Sequence, residues 1–502
     1  MTFLSSLERQ LNTTKTWNGA KAYSSTLNAN LDLFGKIGSS RNNIPQAVDL
    51  FNAAYAENPE TATRILFYAR DIRGGQGERS VFKALFRELV ITNPDLGKKL
   101  VSLVPFYGRW DDLLVLEETK AWDDAIALIT SQLSADMKSL RLNEKSVSLL
   151  AKWLPSVNAS SKNTVRLGKK IAKELDISEK YYRQLLSSLR ARIAIVEQAM
   201  CAGKWDEINY EHLPSKAALM YRKAFKKHDE TRYREYIEAV QKGEKKINAS
   251  TLYPYDIAVP AIGSNWGDDT KMSELERNAL DAQWKALPNY MEGREFNGLV
   301  LADVSGSMYS AYSGKTRPID VSISLATYIA ERNTGIWKDT LLAFESEPKL
   351  VKLSGNDIYS KLMSVKESTR YMGSTNLIGA IKAILDAATS NNLTQSELPQ
   401  SLIVISDMQF DQACTSNKRT NFEQMQKLYR KAGYEMPSVI FWNVNSASNV
   451  PMTVDDTGTA LVSGCSPSIL KAVLSRKIIS PVDIMNDAIY TERYDAVGKV
   501  FS

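Results

Sequence analysis

The sequence predicts a multidomain α + α/β protein, with a helical array over the first half and a doubly wound parallel sheet over the second. Three observations lead there. Up to about residue 242, apolar residues recur at spacings of three and four. From about residue 295, short runs of Val, Ile and Leu alternate with helical segments, the pattern of strands buried on both faces. The chain has 502 residues, more than one core ordinarily fills; its 44% hydrophobic and 24% charged content is that of a globular protein, not a disordered or fibrous one. The expected division is a helical domain over 1–242, a connector with a linking helix over 243–294, and an α/β domain over 295–502.

In the first half the spacing predicts helices over 45–55, 62–70, 79–89, 122–139, 145–153, 178–188 and 192–202, separated by turns carrying Gly, Pro or Asn. Such a series suggests an α-solenoid or helical array, although no fixed-period repeat is visible. Few segments before residue 295 read as strands. The stretch around Tyr253-Pro254-Tyr255 and Gly263–Gly267 reads as loop, followed by a linking helix over 272–284. The α/β half then predicts strands over 298–303, 340–344, 350–353, 402–406 and 439–442, and helices over 320–331, 376–388 and 422–432.

Several function classes drop out on composition. No apolar run reaches the roughly 18–20 residues of a membrane-spanning helix, and Glu8 and Arg9 interrupt the N-terminus before any signal-peptide core forms. Cys201, Cys414 and Cys465 are an odd, scattered set without a Cys-x-x-Cys, which points to a reducing compartment. The expected location is cytoplasmic, with no membrane partner. His212 and His228 are the only histidines, which weighs against zinc hydrolases and His-dependent nucleophiles.

Charge is concentrated. Between residues 151 and 250 there are 21 Lys and Arg against 12 Asp and Glu, a local +9 in a chain of net charge +6. On a helical wheel Lys162, Arg166, Lys169, Lys170 and Lys173 cluster opposite Leu167, Ile171 and Leu175. Likewise Lys216, Arg222, Lys223, Lys226 and Lys227 lie opposite Ala217, Ala218, Tyr221, Ala224 and Phe225, where Tyr221 reads as core. These faces carry almost no acid of their own, although Asp229 and Glu230 follow closely. They are candidate phosphate contacts for nucleic acid, or simply solvated helix faces. Two further stretches have double readings. The Gly-rich 71–79 loop opens a helix, and is either a phosphate cradle or a helix–helix turn. The cluster Tyr107-Gly108-Arg109-Trp110-Asp111-Asp112 offers either base stacking or an aspartate cap beside a packed tryptophan.

The α/β half carries a more specific pattern. Asp303-Val304-Ser305-Gly306-Ser307 follows the first strand, Gly373-Ser374-Thr375-Asn376 precedes a helix, and Ser406-Asp407 ends another strand. Ligands collect at the carboxyl ends of strands in such sheets. Asp303, Ser305, Ser307, Thr375 and Asp407 therefore form an oxygen-only donor set suited to Mg²⁺ or another divalent cation. Five light donors with two charges leave room for a partner's carboxylate or phosphate. The plainer alternative is two turns and a helix cap; Asp411 nearby either assists the shell or caps a helix.

These five residues resemble, one by one, the metal-ion-dependent adhesion site of von Willebrand A domains. The whole chain from about residue 45 to 490 resembles the Ro (TROVE-domain) RNA-binding proteins, in particular their less characterised relatives in bacteria, plants and viruses. The stretches that carry the resemblance are 67–75, 107–112, Pro214-Ser215-Lys216, 252–256 and 406–411. It implies a HEAT-like helical-repeat domain that can close into a ring, bridged by a von Willebrand A-like domain. It also implies non-enzymatic binding of small structured or misfolded RNA. Lys162, Arg166, Lys169, Lys170, Lys216, Arg222, Lys223, Lys226 and Lys227 are the candidate phosphate contacts, and the Mg²⁺ site is separate. The alternative is a metal-dependent protein-interaction or assembly scaffold, viral or virion included, in which a partner's carboxylate reaches the metal and no RNA binds. A phosphoryl hydrolase is disfavoured, because the site lacks the carboxylate-rich set of two-metal catalysis and a nearby histidine base.

Overall fold

Helices fill most of the chain from residue 29 to residue 285, and a six-stranded sheet follows. The computed structural model describes residues 3–144, 147–263, 272–294, 296–309, 317–369, 373–412, 419–445, 448–474 and 480–502. Strands β1 (Thr13–Lys15) and β2 (Lys21–Tyr23) form an antiparallel hairpin near the N-terminus. The sheet consists of β3 (Gly298–Asp303), β4 (Thr340–Phe344), β5 (Lys349–Lys352), β6 (Ser401–Ser406), β7 (Ser438–Asn443) and β8 (Thr459–Ser463).

The helix ends are written locally. Asn58 accepts from the Thr61 amide at 3.0 Å and Pro59 opens the helix Pro59–Arg70; Ser161 and Ser178 cap Lys162–Glu174 and Glu179–Arg192. Other expectations shift. The helix expected over 192–202 breaks where Ala194 takes a φ of 54° and resumes as Val196–Cys201. Of the helix expected over 145–153 only Leu150–Trp153 forms, and residues 145 and 146 lie outside the described residues. The stretch read as loop at 253–255 instead starts a largely buried helix, Pro254–Ile262, with Pro254 in its first turn. The hairpin and β8 were not visible as strands.

The sheet order is β5-β4-β3-β6-β7-β8. All pairs are parallel except the β4–β5 edge. The chain winds outward from β3 in one direction, then returns to β6 and winds outward in the other. The topological switch point, where open α/β sheets bind ligands, therefore lies at the carboxyl ends of β3 and β6.

Alternate residues serve opposite faces. Leu299, Leu301, Leu402, Val404, Val439 and Phe441 share a core with the helices Leu377–Ser390 and Asn421–Ala432 and with Tyr23. Val300, Ala302, Ile403, Ile405, Ile440 and Trp442 belong to a second cluster that runs without interruption into the helical half. The helix Pro318–Arg332 lies within that cluster and is buried over nearly all of its length. A third, satellite cluster joins Ser215–His228, Glu230–Gln241 and Glu274–Lys285.

Both ends of the helical half return to the α/β half. Ala29–Ile37 lies on β8, where the Gly38 amide donates to Ser463 Oγ (3.0 Å) and Ser463 Oγ donates to the Phe34 carbonyl (3.1 Å). At the other end Pro254–Ile262 packs on Pro318–Arg332, and Tyr253 Oη donates to the Gln76 carbonyl at 2.9 Å. That contact explains the Gly-rich loop. A Cβ on Gly75 would sit 1.9 Å from the Tyr68 carbonyl oxygen, and Gly77 takes a φ of +67° against Tyr253. Buried Asp71 accepts from Arg493, from Tyr494 Oη (3.0 Å) and from the Arg73 amide (3.0 Å). The loop is filled by protein groups and works as a joint, not as a phosphate cradle. In the 107–112 cluster, buried Asp112 accepts from Arg70 Nε (2.6 Å) and from the Arg109 amide (2.9 Å). Arg109 lies 3.8 Å over the ring of Trp153. Among the described residues no helix is long and apolar enough to cross a membrane.

Candidate metal centre

The switch point collects the five oxygen donors. β3 ends in Asp303, which is fully buried, as are Ser305, Thr375 and Asp407; Ser307 is half-buried. The Ser305 amide donates to Asp303 Oδ1 at 3.0 Å, fixing the first loop. Thr375 Oγ1 donates to Ser305 Oγ at 3.0 Å, and Ser305 Oγ lies 3.3 Å from Ser307 Oγ. The Ser307 hydroxyl faces the Asp407 carboxylate and works against the rise that burial gives it. Three loops, separated by up to a hundred residues, thus meet within hydrogen-bond distance.

These contacts test the fit of an ion. An octahedral Mg²⁺ with oxygens at about 2.0–2.1 Å sets neighbouring ligands about 2.9 Å apart. The hydroxyl spacings of 3.0 and 3.3 Å are close to that edge. Among the described residues no group of three or more His, Cys, Asp and Glu side chains gathers as metal ligands. The candidate donor set is two carboxylates and three hydroxyls. Its electrostatics favour a cation: burial, then the neighbouring charge of Asp407, pushes the Asp303 carboxyl up to about 7. Burial likewise raises Asp407. Two dry carboxylates side by side are costly until something positive joins them. Met408, directly after Asp407, holds a φ of 63° while fully buried. Such a conformation costs about 1 kcal/mol for a residue with a Cβ and is the kind of strain that collects at working sites.

Supporting groups surround these donors. Ser406 Oγ donates to Asp303 Oδ2 at 2.5 Å and accepts from the Met408 amide at 3.0 Å. The Gly306 amide donates to the Gly373 carbonyl at 3.0 Å, tying the first loop to the second. Asp411 joins Thr375 by two bonds: the Thr375 amide donates to Asp411 Oδ1 (3.1 Å) and the Asp411 amide to the Thr375 carbonyl (2.9 Å). It holds a donor-bearing loop and caps no helix.

The nine basic candidates do not form one open surface. Arg166 makes a two-pronged pair with Glu117 (2.6 and 2.7 Å), and Lys170 joins at 3.1 Å. The Arg166 hydrogen bonds, with Lys170, hold the Glu117 carboxyl down at about 2. Lys169 pairs with Glu179 (3.3 Å), Lys216 with Asp256 (2.5 Å) and Lys226 with Glu276 (3.3 Å). Arg222 turns back to the Leu219 carbonyl (2.7 Å), and burial lowers its pKa. The apparent absence of compensating acid is therefore corrected: the acids come from neighbouring elements, which a single-helix wheel cannot show. Tyr221 is half-buried and bonds Glu197 at 3.0 Å. Lys162, Lys223 and Lys227 remain exposed and have no acidic partner among the described residues.

Residues 16–95 and 121–293 match the model of a domain of unknown function, DUF2828. The chain belongs to the DUF2828 family. Residues 297–496, the sheet with all five oxygen donors, match a second domain of unknown function, DUF7788. A viral relative, "Uncharacterized protein L728" of Acanthamoeba polyphaga mimivirus, is 27% identical over 508 residues, covering 94% of this chain and 86% of that protein. In this DUF2828 chain two groups at the centre carried no local sequence signal. Ser406 looked like one more buried strand residue. Asn18 lies almost 360 residues from Thr375, yet its Nδ2 comes within 3.4 Å of Thr375 Oγ1.

Proposed function

We propose that this protein is a non-enzymatic, divalent-cation-dependent binding module. In this reading Asp303, Ser305, Ser307, Thr375 and Asp407 hold Mg²⁺ or another divalent cation, and a carboxylate of a protein partner completes the shell. The helical half serves as the docking scaffold. The observation that carries it is the convergence of three hydroxyls and two buried carboxylates from three loops at the switch point of the sheet. A bound ion supplies a Lewis-acid contact for the incoming carboxylate. The protein's own groups keep that contact dry and orient it: Ser406 and the Ser305 amide fix Asp303, while the Gln409 amide fixes Asp407. The resemblance to von Willebrand A domains supports the same reading. Calorimetric titration of the full chain with Mn²⁺ tests it. One site is expected in the wild type and none in Asp303→Ala; equal binding by the two refutes it.

A second reading, Ro-like RNA binding, is favoured by Lys162, Lys223 and Lys227, which are exposed and free of acidic partners among the described residues. Lys169, Lys170 and Lys173 line a hollow of about 780 Å³, but Glu174, Asp176 and Glu179 line it with them, so it adds no net positive charge. The Ro resemblance of the quoted stretches points the same way. Reversing Lys223 and Lys227 to Glu should weaken RNA binding and reduce its salt slope by about one per lost contact. An unchanged slope removes these residues from the interface. Both readings can hold in one molecule, with RNA on the helices and protein at the metal.

A further inference from the structure

The N-terminal hairpin sits on the candidate metal centre, although it belongs to the other end of the sequence. Its anchoring is extensive. Gly19 bridges to Asp411, Lys21 to Thr420 and Tyr23 to Val450. Thr16 Oγ1 donates to the Phe410 carbonyl at 2.8 Å. Arg9 pairs with Asp456 at 2.9 Å and donates to Tyr23 Oη at 2.8 Å. The turn between β1 and β2 is thereby held against the loop that follows Asp407. There Asn18 Nδ2 donates to the Gln409 carbonyl at 2.7 Å and to Asp411 Oδ1 at 3.1 Å, and lies 3.4 Å from Thr375 Oγ1. The same Asp411 oxygen accepts from the Thr375 amide. One amide side chain thus spans the second and third donor loops.

We infer that Asn18 is a positioning residue of the metal centre and that the β1–β2 hairpin sets the centre's affinity for a divalent cation. The inference rests on the metal-binding reading above. Its physical basis is that a hydroxyl ligand is weak and free to rotate, so the ion gains most from Thr375 when its loop is held before the ion arrives. Asn18 and Asp411 hold it from two sides. Groups that orient ligands in this way typically change metal affinity 10- to 100-fold when removed. Trp17 provides an internal control. Its amide donates to Gln409 Oε1 at 2.6 Å, but its indole is 91% exposed, so truncating the ring leaves the backbone contact in place.

The test is Mn²⁺ affinity by calorimetry on the full chain, with thermal unfolding in EDTA run alongside. Asn18→Ala is expected to weaken Mn²⁺ about 10-fold with an unchanged metal-free melting temperature, and Trp17→Ala to leave both unchanged. Because Asn18 acts through the Thr375 loop, adding Asn18→Ala to Thr375→Ala should cost little further affinity, a non-additivity that general destabilisation would not produce. Wild-type Mn²⁺ affinity in Asn18→Ala, or full additivity with Thr375→Ala, overturns the inference while the metal reading stands. Absence of Mn²⁺ binding in the wild type overturns the metal reading and this inference with it.

Discussion

Replacing Asp303 by Asn should make the metal-free protein more stable, not less. Asp303 is fully buried beside Asp407, and its carboxyl is pushed up from 3.8 to about 7. A raised folded-state pKa gives stability that is complete below the unfolded value and is lost as pH rises through the folded one. Three units correspond to about 4 kcal/mol, so at pH 8 the ionised Asp303 costs the metal-free fold up to about that much. Asparagine removes the charge and keeps the contacts: its carbonyl still accepts from the Ser305 amide, and the Ser406 hydroxyl can turn to accept from the new amide. Thermal unfolding in EDTA should show Asp303→Asn well above the wild type at pH 8 and level with it near pH 4. Mg²⁺ at a hundred times its pH 8 dissociation constant should stabilise the wild type by about 2.7 kcal/mol at pH 8, by less at the same concentration towards pH 5, and leave the variant unmoved. A variant that is destabilised at both pH values and still responds to Mg²⁺ would refute the reasoning.

Two further perturbations probe the scaffold. Glu117 is held near 2 by Arg166 and Lys170. The pair's stabilisation is thus present above 4.5 and lost as pH falls towards 2; Glu117→Gln should cost about 1 kcal/mol at pH 7 and nothing at pH 2, read by urea unfolding at each pH. Arg493→Ala leaves the Asp71 carboxylate, 1% exposed, without its cation, and should cost about 3 kcal/mol; a loss below about 1 kcal/mol would mean the 71–79 loop is not the joint between the helical half and the C-terminal segment.

What could be read from the sequence was whatever its own neighbourhood determines. Asp303, Ser305 and Ser307 are two residues apart at a strand end, so their convergence follows from local geometry. The strand runs at 298–303, 402–406 and 439–442 were legible because a central parallel strand is apolar on both faces. β8 was not, because its apolar run is only Ala460-Leu461-Val462, between Thr459 and Ser463. The hairpin was not, because Thr13–Lys15 and Lys21–Tyr23 are largely polar strands, and the turn and β2 owe their placement to Phe410, Asp411, Thr420 and Val450. The acids that face the basic helices were hidden for the same reason: Glu117, Asp256 and Glu276 pair with Arg166, Lys216 and Lys226 from distant positions.

The continuity of the core bears on how the centre works. Val300, Ala302, Ile403 and Ile405 share one apolar cluster with the helical half, from Leu31 to Ile262. The strands that end in Asp303 and Ser406 are thus packed directly against the scaffold that a partner or an RNA would engage. The opposite face of the same strands carries Tyr23 of the hairpin, which in turn presents Asn18 to Thr375. Close-packed interiors transmit displacement instead of absorbing it, so anything that shifts the Ala29–Ile37 helix on β8 also acts on the end of the hairpin that holds the third donor loop, just upstream of that helix. On the proposed reading, occupancy of the metal centre should couple to the seating of the N-terminal hairpin. Measuring amide exchange of residues 12–24 with and without Mn²⁺ tests that coupling. Protection that rises on adding the ion in the wild type, but not in Asp303→Ala, is the expected result; exchange indifferent to the ion would mean that the hairpin is a static strut.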